Sequence, residues 1–139
     1  MIVTTISVNL LAVLLGAAGA WIVGAVWYSV LGKTWMAALG KTRDDLKGTV
    51  TPWVPMALSF VAEFIMAYVF ATALALLGPA VDAIKTALIT AFLLWLGFVL
   101  TTIVVNNAFA GRKVMLTVID AGHWLVALLV MGTIIGAYG

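Results

Sequence analysis

The chain has 139 residues, of which 65% are hydrophobic and 9% are charged, and its formal net charge at pH 7 is +2. Charged residues make up about a quarter of an ordinary soluble domain, so this composition excludes one. The basic residues are not gathered on one soluble face, which argues against nucleic acid as a partner. The sequence contains no cysteine, which excludes disulfides and thiol catalysis.

Four apolar stretches are long enough to cross a bilayer, which takes about 20 residues in a helix. They predict transmembrane helices at about 6–31, 52–77, 83–109 and 114–138. The predicted fold is therefore an all-α integral membrane protein with a single four-helix domain over residues 1–139, arranged as two tandem helical hairpins.

The first predicted helix carries small residues at a spacing of four, at Gly16, Ala20 and Gly24. Such a face lets another helix approach closely, and we interpret it as a contact between subunits of a homo-oligomer. Trp27 and Tyr28 follow near the end of the helix. They suit the aromatic belt at the lipid headgroups or, alternatively, the mouth of a polar pocket.

The connection 32–51 is the one sizeable polar segment between the predicted helices. Its first part places Trp35 and Met36 on one side of a short helix, which predicts a helix lying in the membrane interface. Thr42 and Asp45 have the spacing of a capping box, in which each residue caps the other at a helix start.

Glu63 lies about ten residues into the second predicted helix, near the middle of the membrane. An acidic side chain there costs about 2.5–3.5 kcal/mol on insertion scales, which the surrounding apolar residues offset. Ionisable groups at this depth generally face protein or a water-filled cavity. We interpret Glu63 as a titratable group of a functional pocket, and the alternative is a hydrogen-bonded link between helices.

The turn 110–113 joins the third and fourth predicted helices in very few residues, so these two helices are antiparallel neighbours. Positions equidistant from the turn share a depth, which places Asn106 opposite Asp120, about two helical turns from the end. Asn107 lies beside this pair, and Arg112 lies in the turn. We expect Asn106 or Asn107 to join Asp120 in a buried polar cluster, with Arg112 at its mouth.

Asp120 and His123 are three residues apart on one face of the fourth predicted helix, so their side chains can touch. A carboxylate that holds one imidazole nitrogen leaves the other nitrogen free to move a proton or bind a ligand. The same contact alternatively does no more than satisfy buried polar groups. A metal site would need further ligands from other subunits, so we predict no metal and no other cofactor.

Gly132 and Gly136 form a second small-residue face on the fourth predicted helix, turned about 120–160° away from Asp120. We interpret this face as a contact with a neighbouring helix or subunit. Together with the face on the first helix, it predicts a homo-oligomer.

Six of the seven basic residues lie in the first and third connections, and Lys85 alone lies in the second. Connections on the cytoplasmic side of a membrane carry the excess of Lys and Arg. Both termini are therefore predicted on the non-cytoplasmic side of a cell inner membrane.

Three stretches of the sequence together have a recognisable pattern: VWYSVLGKTW at 26–35, LGFVLTTIVVNNAFAGRK at 96–113 and IDAGHWLVALLVMGTIIGAYG at 119–139. Through these motifs the chain resembles domain of unknown function family 1761, a group of small bacterial and fungal membrane proteins. The resemblance implies four helices and a membrane location and brings no activity. The matching positions are Trp27, Tyr28, Gly32, Trp35, Asn107, Gly111, Arg112, Asp120 and Gly122. His123 stands at a less constrained position of the family pattern, and Glu63 is not part of that pattern.

The leading hypothesis is an oligomeric membrane protein that binds or translocates a small solute or a proton through a polar pocket. Asp120 is the predicted main anchor, with His123 and the two asparagines around it and Glu63 deeper in the membrane. The alternative is a structural or regulatory subunit whose polar residues only lock helices together. No motif demands an enzyme, and one acting on lipid or quinone would have to use Asp120 and His123.

Overall fold

A computed structural model describes residues 5–48 and 51–139 of the chain. Its helices are α1 (Leu10–Leu39), α2 (Arg43–Leu46), α3 (Trp53–Leu77), α4 (Ala83–Leu94), α5 (Thr101–Phe109) and α6 (Val114–Tyr138), with a π-helical segment (Trp95–Leu100) between α4 and α5. No strand occurs in the described residues. The predicted domain 1–139 and the connection 32–51 each include residues outside these ranges.

Four helical units are long and apolar enough to cross a membrane. They are α1, α3, α6 and the continuous unit Ala83–Phe109, which consists of α4, the π-helical segment and α5. The prediction of an all-helical chain with four potential membrane spans is therefore confirmed.

The first helix differs from its expected range of about 6–31. It begins at Leu10, where the side chain of Asn9 accepts hydrogen bonds from the Leu11 and Ala12 amides, and it continues to Leu39. No proline interrupts the segment, and the helix ends only where Gly40 adopts a left-handed conformation with φ 75°. The segment expected to form a separate interfacial helix is thus the last part of α1.

The capping box predicted for the connection is confirmed. The Thr42 hydroxyl accepts a hydrogen bond from the Asp45 amide at 3.2 Å, and the Asp45 carboxylate accepts one from the Thr42 amide at 2.8 Å. These bonds begin the short helix α2, which follows the end of α1 in the chain.

Helix α6 packs extensively against α1 and α4, and α3 packs mainly against α1 with smaller contacts to α6 and α4. Small side chains make these contacts close, since they let helix backbones approach. Those that are completely buried include Ala17, Ala20, Ala67, Ala87 and Ala91.

The glycine faces predicted to join subunits are covered by helices of the same chain. A Cβ atom on Gly16 would lie 3.1 Å from Cγ1 of Ile135, and one on Gly136 would lie 2.9 Å from Cβ of Ala87. Ala20, Gly24 and Gly132 likewise lie against neighbouring helices, the last of them 3.4 Å from the ring of Phe70 by the same measure. These faces serve contacts inside one chain, and the homo-oligomer stays a prediction.

Candidate functional site

Asp120 is held by aromatic residues of α1. One carboxylate oxygen, Oδ1, accepts hydrogen bonds from the Tyr28 hydroxyl at 2.7 Å and from Nε1 of Trp35 at 3.1 Å. The two aromatic residues are about two helical turns apart and so lie on one face of α1, with their ring centroids 6.0 Å from each other. Trp35 reaches Asp120 because α1 continues beyond its expected end.

Two tryptophans hold α6 at the same level. Nε1 of Trp27 donates to the Ile119 carbonyl at 3.0 Å, and Nε1 of Trp95, the first residue of the π-helical segment, donates to the Ala121 carbonyl at 2.8 Å. Gly122 allows Trp27 to pack closely, since a Cβ atom there would lie 3.0 Å from the indole ring. Hydrogen bonds thus link α6 both to α1 and to the helical unit Ala83–Phe109.

The expected bond between Asp120 and an asparagine is not formed. Asn107 instead donates to the Thr117 hydroxyl at 3.0 Å, and Asn106 is exposed. Counting residues from the turn gives the depth of a residue but leaves the rotation of the helix about its axis undetermined. The π-helical segment changes that rotation, because it takes more residues per turn than an α-helix.

A cavity of about 670 Å³ opens between α1, α2, α3 and α6. Its lining combines aromatic walls with a few polar or charged groups. The aromatic residues are Trp21, Tyr28, Trp35 and Trp124, and the polar or charged ones are Ser29, Arg43, Ser59, Glu63 and His123.

Glu63 and His123 are almost completely buried at this cavity, with 2% and 5% of their surface exposed. Oε2 of Glu63 and both ring nitrogens of His123 have no hydrogen-bond partner in the protein. A buried polar atom without a partner costs about 1–3 kcal/mol. Such atoms need an explanation in a native structure, and a bound ligand or ordered water would supply the missing hydrogen bonds.

His123 is positioned by its neighbours on α1 and α6. Its ring lies between those of Tyr28 and Trp124, at centroid distances of 5.1 and 4.6 Å. The missing side chain of Gly24 makes room for the imidazole, because a Cβ atom at that position would lie 3.0 Å from Nε2. His123 makes no hydrogen bond with Asp120, contrary to both interpretations of their spacing, each of which required that contact.

The face of α3 that contains Glu63 lines the cavity at one end and is buried in the core at the other. Ser59, Glu63 and Ala67 follow one another at intervals of about one helical turn. Ser59 lines the cavity, Glu63 is buried at it, and Ala67 is completely buried in the core. Ala20 and Ala127 are also buried in this core. The cavity therefore ends at Glu63 and His123, about halfway along the bundle.

Several predicted site residues lie elsewhere. Trp27 and Arg112, expected at a pocket mouth, do not line the cavity, whereas Arg43 of α2 does. The capping box could have suggested Arg43, because it starts a helix at this residue shortly after the end of α1. Within the described ranges, no three of His, Cys, Asp and Glu are grouped so as to hold a metal ion.

Comparison with known proteins identifies a family. No curated protein and no solved structure matches the chain. Residues 11–136 match the profile of a family described as protein of unknown function (DUF1761). The matched range includes Asp120 and the two residues that donate hydrogen bonds to it, Tyr28 and Trp35. The resemblance noted in the sequence is thereby confirmed, and the chain belongs to the DUF1761 family.

Proposed function

We propose that this chain binds a small solute in the cavity between α1, α2, α3 and α6. The observation that carries the proposal is the pair Glu63 and His123, two buried ionisable side chains with unpartnered atoms at one cavity. The volume lies within the range of about 300–1,000 Å³ found for small-molecule sites, which are mostly apolar with a few polar groups.

The proposal assigns different roles to the polar residues of the bundle. Glu63 and His123 contact the solute. Asp120 acts as a positioning residue, because its hydrogen bonds orient Tyr28 and Trp35 in the cavity wall. Asn106 and Asn107 lie outside the site.

In this proposal the cavity opens on the cytoplasmic side of the cell inner membrane. It lies at the end of the bundle where α1 ends and α3 begins. The connection there carries three of the seven basic residues, and Lys33 lies in the last two turns of α1. The excess of basic residues in cytoplasmic connections supports this orientation and puts both termini on the other side.

Translocation of the solute, or of a proton, requires the closed half of the bundle to open. Ala17 and Ala20 of α1 and Ala67 of α3 are completely buried there. A movement of α3 away from α1 would connect the cavity to the opposite side, so in this proposal the present conformation is open to the cytoplasm alone.

A structural or regulatory subunit is the second candidate. The bonds from Tyr28 and Trp35 to Asp120 favour it, because they link α1 to α6 as such a role requires. The unpartnered atoms of Glu63 and His123 link no helices, so this candidate leaves them without a role.

Labelling of single cysteines tests the proposal directly, because the chain has none of its own. Ser59→Cys in the cavity should react with a membrane-impermeant thiol reagent added to the cytoplasmic face of vesicles. Ala67→Cys, two turns further along the same face of α3, should remain unreactive because this position is completely buried. Thr34→Cys, at an exposed position of α1, is the positive control.

A matched pair of glycine variants checks that the reaction occurs in the cavity. Gly32 lines it and Gly97 does not, yet a Cβ atom would meet no other group within 4 Å at either position. Gly32→Leu should therefore slow labelling of Ser59→Cys, whereas Gly97→Leu should leave the rate unchanged. Equal labelling of Ser59→Cys and Ala67→Cys, or no effect of Gly32→Leu, would contradict the proposal.

A further inference from the structure

We infer that the solute is an amphipathic organic cation, with an ammonium group at Glu63 and an apolar body against the aromatic walls. This inference rests on the proposed function and deepens it by naming the class of ligand. It follows from the distribution of charge and of aromatic rings within the cavity.

The charge at the closed end of the cavity favours a cation. Glu63 is the one acidic residue among the described residues that line the cavity, and it is 2% exposed. The ion pair found within 4.0 Å in residues 5–48 and 51–139 joins Lys47 to Asp44 at the surface, so Glu63 has no cationic partner in those ranges. An isolated buried carboxylate is costly, and a ligand cation beside it removes much of that cost.

The positive charge of the cavity lies at its other end. Arg43 belongs to α2 and is exposed, whereas Glu63 and His123 are buried. A neutral imidazole at His123 turns the lone pair of its acceptor nitrogen towards a cation and does not repel it. An anion would thus be attracted to the mouth, and a cation would be attracted to the closed end.

The walls supply the second recognition element. Trp21, Tyr28, Trp35 and Trp124 line the cavity that ends at Glu63. The faces of such rings attract cations with about 2 kcal/mol when water is excluded. Tyr28 and Trp35 are fixed by their hydrogen bonds to Asp120. A cation that enters therefore meets rings that are already oriented, which reduces the entropy lost on binding.

Protection of Ser59→Cys from a neutral thiol reagent tests the inference in lipid nanodiscs. The probe is benzyltrimethylammonium, compared with neopentylbenzene, which has carbon in place of the charged nitrogen, and with the phenylmethanesulfonate anion. We expect protection by benzyltrimethylammonium alone. Glu63→Gln should weaken that protection about tenfold or more, which corresponds to about 1.4 kcal/mol. Asp44→Asn, which removes an acidic group outside the cavity, should not change it.

The outcomes separate this inference from the proposed function. If the neutral or the anionic compound protects Ser59→Cys equally well, or if none of the three compounds protects it, the choice of a cation is overturned. The cavity proposal then still stands if Gly32→Leu slows labelling. No labelling of Ser59→Cys, with labelling at Thr34→Cys, overturns both. The comparison of the three probes is made with Glu63 unchanged, so it does not depend on how Glu63→Gln folds. Trp124→Leu provides a second variant, which should weaken protection by benzyltrimethylammonium several-fold.

Discussion

The two halves of α1 perform different tasks with side chains of different size. In the first half, Ala12, Val13, Ala17 and Ala20 are at most 1% exposed and pack closely against neighbouring helices. In the second half, Tyr28 and Trp35 hold α1 to α6 through hydrogen bonds and line the cavity. Small side chains let backbones meet, whereas large aromatic ones keep them apart. The cavity therefore begins where the aromatic residues do.

The largest effect is expected from introducing the same side chain into each half of α1. Gly16→Leu should lower the free energy of unfolding by about 1–3 kcal/mol, because its side chain would press on Ile135 and Met131. Gly32→Leu should not lower it, because nothing lies within 4 Å of a Cβ atom there and leucine favours helices more than glycine does. Unfolding in sodium dodecyl sulfate measures both, and equal losses would contradict the distinction between the halves.

A similar effect is expected at the link between the second half of α1 and α6. Asp120→Ala removes the acceptor of two donors and should cost about 1–3 kcal/mol of unfolding free energy. Combined with Tyr28→Phe, it should show a coupling energy of at least about 0.5 kcal/mol, as expected for residues in contact.

The matched control for this cycle is Asn106→Ala. Asn106 is exposed and should show no coupling to Asp120. If Asp120 were coupled to Asn106 and not to Tyr28, the result would support the polar cluster expected from the sequence. It would contradict the observed hydrogen bond between Tyr28 and Asp120.

A smaller effect, with the opposite sign, is expected at the closed end of the cavity. Glu63→Met should leave the free energy of unfolding unchanged or raise it by up to about 1 kcal/mol, because it removes a buried polar atom that has no partner. The same variant should abolish binding of benzyltrimethylammonium. A clear loss of stability would show that Glu63 holds helices together, as the structural-subunit hypothesis requires.

The smallest effect concerns α2, at the mouth of the cavity. The backbone amide and the hydroxyl of Thr42 both donate hydrogen bonds to the Asp45 carboxylate. These bonds lower the pKa of Asp45, the bond from the backbone amide more than the bond from the hydroxyl. A lowered pKa in the folded state means that this contribution to stability is present above about pH 4 and is lost as the pH falls through the lowered value.

Carbon NMR of the Asp45 carboxyl group measures this pKa, and Thr42→Ala should raise it towards its ordinary value of about 4. The residual bond from the backbone amide should keep part of the shift. An identical titration midpoint in both proteins would show that the capping box does not persist in solution.

The sequence was a good guide to some parts of the site and a poor one to others. Glu63, His123 and Asp120 stood out because ionisable residues are costly in a membrane span. Their arrangement was not accessible, since it depends on which face of each helix turns towards which neighbour. The role of Trp35 was hidden by the expected end of α1, because Gly32 and Lys33 are typical of a helix end but are also tolerated within a long helix.

The number of potential spans and the capping box were determined by the sequence alone, because length, hydropathy and short-range spacing decide them. The order of the helices across the bundle, the pairing of Asp120 with Tyr28 and Trp35, and the meeting of Glu63 with His123 at one cavity were decided by the tertiary structure. In an apolar chain every face of a helix is hydrophobic, so the pattern of hydrophobicity does not tell which face is buried. The fit between small and large side chains supplies that information, and it exists only when the helices are packed together.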